Sequence, residues 1–156
     1  MGEHVCSVGW RRDGAAFVDR RYSRRHEWRF DGGVVVPASA SPHAVPAPYS
    51  DARCVDPEEA FVAALSSCHM LSFLWLAAQR GVVVDAYDDD AVGTMGKNAA
   101  GREGVTRVVL RPRVRCAGPR PPTDDELDAL HHEAHAICYI ANSVTTQVDV
   151  EPVRRA

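Results

Sequence analysis

The chain has 156 residues, 46% hydrophobic and 25% charged, with a formal net charge of −3. That is enough for one globular domain with its own core, and it gives no reason to expect a nucleic acid or an anionic membrane as partner. Five cysteines, an odd number with no CxxC spacing, argue against a disulfide framework and a zinc knuckle, and point to a reducing cytoplasm.

Residues 1–156 are expected to form a single domain, with 1–19 as an N-terminal strand or extension. The start carries no charged, apolar and cleavage-site pattern of a secretion signal. Asp13-Gly14 and Asp31-Gly32-Gly33 are turn signals. Between them His26, Trp28 and Phe30 alternate with Arg25, Glu27 and Arg29, the period of a half-buried strand. RRYSRRHEWR (20–29) is a dense basic patch. The acidic remainder, Asp88-Asp89-Asp90 and Asp124-Asp125, favours a patterned strand over a nucleic-acid surface. Residues 37–55 hold four prolines and read as a loop.

A long helix is predicted from Asp56, as N-cap, through Pro57, Glu58 and Glu59 to Gly81. Residues 60–78 carry no acid or base except His69, a length that approaches a membrane span. Ser66, Ser67, His69 and Ser72 would lie at the bilayer centre, so a helix buried on all sides in a soluble protein is the better reading. VVVDAYDDDAVGTMGKN and GVTRVVLRPRVRC are read as two strands joined around Asn98–Gly104. Thr123 and Glu126 form a capping box for a second helix, with Leu127, Leu130, Ala134, Ile137, Cys138 and Ala141 as its apolar stripe. TTQVDVEP reads as a last strand. The order gives an α+β fold with a mostly antiparallel sheet. One sheet and one helix cannot cover a helix that is apolar all round, which argues for a homodimer.

Cys68 sits in SSCH on the long helix, where Phe61, Leu65, Cys68, Ser72 and Trp75 share a face. Cys138 lies on the stripe of the second helix, so both thiols are expected to face inward. Two buried core cysteines and a reactive pair are both open on pattern alone. A reactive thiol here needs a nearby cation. Cys68 lies too far from the helix N-terminus for the dipole, and His69 points about 100° away, so an arginine from 20–29 is the better candidate.

DPEEAFVAALSSCHM (56–70), with Pro57-Glu58 and a cysteine ten residues after Glu58, resembles the cysteine segment of the OsmC/Ohr family, the osmotically inducible and organic hydroperoxide resistance proteins. HHEAHAICYIANSV resembles that family's second cysteine segment, and the order of elements agrees from about residue 20 to 152. The resemblance implies an intertwined homodimer, each half burying a long central helix. It implies a thiol peroxidase in which Cys68 reduces an organic hydroperoxide and becomes a sulfenic acid. Cys138 resolves that acid as a disulfide. It also implies Glu58 as a carboxylate and Arg25, with Arg24 as the alternative, as the arginine serving the thiolate. Recycling would come from external thiols, among them a dithiol such as a lipoyl group. No cofactor, metal, nucleic acid or membrane is expected. Phe61, Leu65, Met70, Leu71 and Trp75 would form an oily wall suited to an organic peroxide. The sequence departs from the family pattern at Asp56, where Asn is usual, at His69, where Phe is typical, and at Cys138-Tyr139-Ile140, where a Cys-Pro step is common. These mark an OsmC-like branch.

Along ten residues of straight helix Glu58 and Cys68 lie about 15 Å apart. Either the helix breaks near Glu58 or the site is built between two chains. Two further readings compete: a non-catalytic module binding a small lipophile, and a metal site from His131, His135 and Cys138 at i, i+4 and i+7. HHEAH fails as HExxH because Ala136 stands where the second His belongs. His131 and His135 are expected at the surface. Cys6, Cys54 and Cys116 carry no assigned role.

Overall fold

The structure is a computed structural model and describes residues 2–154. Its contacts divide the chain into two compact units, one up to Ala60 and one from Phe61.

The first unit holds an antiparallel sheet of β1 (Cys6–Gly9), β2 (His26–Phe30) and β3 (Val35–Ala38), in that order. In β2 the predicted alternation holds for half-buried His26 and Trp28 against exposed Glu27 and Arg29, while Phe30 is exposed. Asp31-Gly32-Gly33 makes the β2–β3 turn, closed by Gly33 N–H to Phe30 O at 3.0 Å. Asp13-Gly14 turns inside the long β1–β2 connection and closes no hairpin. Cys6, within the expected N-terminal strand or extension, is the first residue of β1. Pro37 sits within β3, and its carbonyl accepts Val55 N–H at 3.1 Å, so the proline-rich segment returns to the strand it left.

Helix α1 runs unbroken over Pro57–Gln79. Asp56 caps it as predicted: its Oδ1 accepts Glu59 N–H at 2.8 Å and Glu59 Oε2 accepts Asp56 N–H at 3.1 Å. The far end closes on Gly81 at φ +69, with Gly81 N–H to Ala78 O at 3.1 Å and Val82 N–H to Ala77 O at 2.9 Å, the paired bonds of a left-handed glycine stop.

The second unit differs from the sequence reading in its strands. Each of the two expected strands is broken into two, giving β4 (Val83–Asp89), β5 (Val92–Lys97), β6 (Glu103–Leu110) and β7 (Pro112–Ala117). β4 pairs with β7, and β5 pairs with β6 in a separate sheet. Asp89 pins the corner at which both breaks fall. Its Oδ1 accepts Arg111 N–H at 2.6 Å, and its Oδ2 accepts the Ser66 hydroxyl at 2.5 Å. A strand that bends there can serve two sheets, and alternation alone does not register the bend. The last strand, β8 (Gln147–Val150), pairs with β6 in parallel, an exception in an otherwise antiparallel α+β fold.

Helix α2 covers Asp124–Ile137 behind the predicted capping box of Thr123 and Glu126. It ends earlier than the apolar stripe suggests. Cys138 is its C-cap in extended conformation, and a 3₁₀ turn, Ala141–Ser143, follows.

Two apolar clusters hold this unit. Phe73, Leu76 and Ala77 of α1 pack on Leu130 and Ala134 of α2, and Leu65 packs on Val108 and Leu110 of β6. Gly93 of β5 lets α1 come close: a Cβ there would stand 2.6 Å from Val62 Cγ2.

The inward face of α1 is Leu65, His69, Phe73, Leu76 and Ala77 rather than the expected Phe61, Leu65, Cys68, Ser72 and Trp75. Leu71 (61% exposed) and Trp75 (55%) stand on the opposite side, so within one chain the helix is not buried all round and the oily wall does not assemble. By length and composition α1 could cross a membrane. Its mid-helix polar groups instead bond within the fold, Ser66 to Asp89 and His69 to His131, as a domain helix requires.

Candidate active site: a thiol pair

The fold brings Cys68 and Cys138 together. Cys68 is half-buried on α1. Cys138 is sealed at 1% exposure where α2 stops. The early stop matters locally. The extended Cys138 and the turn after it direct the Ile140 N–H at the Cys68 sulfur, 3.5 Å away. The Cys138 backbone N–H still bonds back to His135 O at 3.3 Å.

The two thiols are not equivalent. Burial, and then a hydrogen bond with Cys68, push the Cys138 thiol up to about 11. The backbone N–H groups of Ala141 and Ile140 also reach the Cys138 sulfur and act against that rise. Such a pair can exchange between dithiol and disulfide, with Cys68 as the more accessible sulfur. No disulfide is formed among the described residues.

The other expected site residues lie in the first unit. Arg24 is held by backbone: its guanidinium donates to Arg20 O at 2.7 Å and Tyr22 O at 2.5 Å and lies 3.9 Å from the centre of the Tyr22 ring. Arg25 is more than half exposed and pairs with Asp51 at 3.2 Å. Asp51 also takes a bidentate pair from Arg53, which with Arg53 N–H holds its carboxyl down to about 2. Glu58 is half-buried in the first turn of α1 and makes no hydrogen bond or ion pair among the described residues. The unbroken helix removes one of the two expected geometries for Glu58, the break that would have let it approach Cys68 of its own chain.

The metal reading is corrected. Among the described residues no three His, Cys, Asp or Glu side chains are grouped to hold an ion. His131, expected at the surface, is 2% exposed and is engaged elsewhere. Its Nδ1 lies 3.1 Å from Nε2 of the equally buried His69, with the rings stacked at 5.3 Å and 9°. Phe73 stacks on the other side of His131 at 4.3 Å. Burial holds both imidazoles uncharged, His69 at about 3 and His131 at about 4. This pair was missed from the sequence. The signal was there, since Leu127, His131, Ala134 and Cys138 follow i, i+4, i+7 and i+11.

Comparison with known proteins agrees with this architecture. The profile of the family described as OsmC-like protein matches residues 50–153. The chain is similar to an OsmC-like protein of unknown function from Vibrio cholerae, at 55% identity and a TM-score of 0.96, covering 98% of this chain and 100% of that one. It shares its fold with an organic hydroperoxide resistance protein OsmC from Legionella pneumophila (16% identity, TM-score 0.69, covering 97% and 96%). It also shares it with the organic hydroperoxide resistance protein OhrB of Bacillus subtilis (16%, 0.69, covering 97% and 98%). No curated protein matches the chain in sequence.

Proposed function

The chain belongs to the OsmC-like family, and from that membership together with the thiol pair we propose that it is a two-cysteine peroxidase acting on organic hydroperoxides. The observation that carries the reading is the meeting of two thiols of unequal access: a sealed Cys138 hydrogen-bonded with a half-buried Cys68 whose sulfur receives the Ile140 N–H.

The Cys68 thiolate attacks the distal oxygen of ROOH. The O–O bond breaks, sulfur is oxidised, and the alkoxide takes a proton and leaves as ROH. The resulting sulfenic acid is attacked by Cys138, whose proton departs with the sulfenic oxygen as water while the disulfide forms. Proximity keeps the sulfenic acid from further oxidation to the irreversible sulfinic form. Two thiols of an external reductant, or one dithiol of the lipoyl kind, then return both cysteines to the reduced state by exchange. Burial of Cys138 suits a resolving role: it keeps its proton until the adjacent sulfenic acid makes its attack productive.

A cation at Cys68 would stabilise the thiolate and the departing oxygen. Arg25 is the better source. Arg24 is committed to two carbonyls and the Tyr22 ring, whereas Arg25 is solvent-facing and held only by Asp51. Glu58, with no ionic partner of its own, supplies the carboxylate that orients the guanidinium. With about 15 Å of unbroken helix between Glu58 and Cys68, the complete site needs a second chain. The exposed Leu71 and Trp75 on the outer side of α1 are the apolar surface for such a homodimer. Five cysteines with no disulfide among the described residues fit a reducing, cytoplasmic setting.

The reading is tested by trapping. Cys138→Ser treated with one equivalent of cumene hydroperoxide and dimedone should carry the adduct on Cys68 alone. Absence of the adduct in the folded variant would sink the proposal and leave the non-catalytic binding module.

A further inference from the structure

Besides the thiols themselves and the stack of Phe73 on His131, α1 and α2 meet in three ways among the described residues. Apolar side chains pack, Phe73, Leu76 and Ala77 on Leu130 and Ala134. Arg80 and Glu133 form an exposed ion pair at 2.5 Å. The buried His69 and His131 share one hydrogen bond at 3.1 Å. Apolar packing tolerates small sliding, and an exposed pair of long side chains is worth little. The histidine bond is different. Each neutral imidazole has one N–H and one lone pair. His69 Nδ1 and His131 Nε2 have no partner among the described residues, so the bond between them is the only hydrogen bond either ring makes. A buried polar pair of this kind costs desolvation and gives direction in return.

Its place in the fold says what the direction is for. His69 follows Cys68 on the same turn of α1, about 100° around the axis. On α2, His131 stands two turns before the Cys138 cap, about 10 Å along the helix. One turn of α1 is thus held at two points of α2, once through imidazoles and once through sulfurs. A rotation of α1 by 20° moves an atom 5 Å from its axis by ~2 Å, which would separate both contacts together.

We propose that His69 and His131 are positioning residues for the thiol pair, their hydrogen bond setting the rotation of α1 at which the Cys68 sulfur meets Cys138. Asp128 and Asp89 favour a charge on His131, while His131 and His135 oppose one on His69. Burial outweighs these and keeps both rings neutral, the form in which one can donate to the other.

The inference rests on the two-thiol reading, and its test separates the two. The full chain is equilibrated in glutathione buffers, where oxidised glutathione converts Cys68 and Cys138 to a disulfide and is itself reduced. The Cys68–Cys138 peptide is quantified by mass mapping to give an effective thiol concentration. His69→Phe keeps an aromatic ring of slightly larger size and its stack but removes the bond. It should lower that concentration at least tenfold. His69→Gln, which restores an N–H near the Nε2 position, should return it to within threefold of the original chain. His69→Phe within threefold of the original chain would overturn the positioning role. A second measurement needs no variant: the imidazole ¹⁵N shifts of His69 and His131 should stay those of a closed bond in both the dithiol and the disulfide forms, and opening of the bond on oxidation overturns the proposal. If the original chain forms no such disulfide in any buffer, the two-thiol reading itself fails.

Discussion

The thiols of Cys138 and Cys68 are hydrogen-bonded to each other, and burial together with that bond pushes the Cys138 thiol up to about 11. The consequence is a difference in reactivity between two sulfurs in contact. In the folded, reduced protein at pH 7.5, iodoacetamide should modify Cys138 at least tenfold more slowly than Cys68, and the difference should vanish in denaturant. Equal rates in the folded state would remove the asymmetry on which the mechanism stands.

The histidine pair makes stability depend on pH with a definite sign. In the unfolded chain each imidazole takes its proton near pH 6.5. In the folded chain His131 takes it only near 4 and His69 near 3, because burial opposes the charge. Between these values the unfolded state binds more protons. Stability is therefore full above pH 6.5 and falls on acidification, by up to ~1.4 kcal/mol per pH unit for each histidine. Urea midpoints at pH 7.5 and 5.0 for the original chain and His69→Phe read this directly. The variant should lose less stability between the two pH values, and equal losses would show that the pair does not titrate as described.

Gly93 has no room for a side chain beneath α1. Gly93→Ala places a Cβ 2.6 Å from Val62 Cγ2 and should destabilise by about 1–3 kcal/mol. Val62→Ala in the same chain should recover part of that loss. Thermal melts of the single and double variants measure it, and a fully additive double variant would mean that the two groups do not meet.

Leu71 and Trp75 are exposed on the side of α1 away from its core. If that side carries the second chain, Leu71→Glu with Trp75→Glu should give a folded monomer by light scattering, with peroxide turnover lost and the Cys68–Cys138 disulfide still able to form in glutathione buffer. A double variant that stays dimeric and active would place the interface elsewhere.

Much of this was readable from residue order. Asp56 and Glu59, Thr123 and Glu126, and Gly81 mark helix ends by local chemistry, and each does so in the structure. Residue order placed Cys68 and Cys138 on two helices expected to pack together, but left open whether the two sulfurs meet. What sequence did not reveal depends on tertiary context. The strands break at Asp89 because its carboxylate reaches Arg111 N–H and Ser66 across the fold. The inward face of α1 was misread because the helix is apolar on every side, so periodicity could not choose Phe73 over Trp75. His131 was placed at the surface on its residue type, although its spacing with Leu127 and Ala134 put it in the stripe.

The most direct test of the account is thiol mapping of the reduced protein after one equivalent of cumene hydroperoxide. The account predicts loss of two thiols within seconds and a single new disulfide between Cys68 and Cys138, with Cys6, Cys54 and Cys116 unchanged. Five thiols still free after minutes in excess peroxide, or oxidation spread over all five without that disulfide, would contradict it.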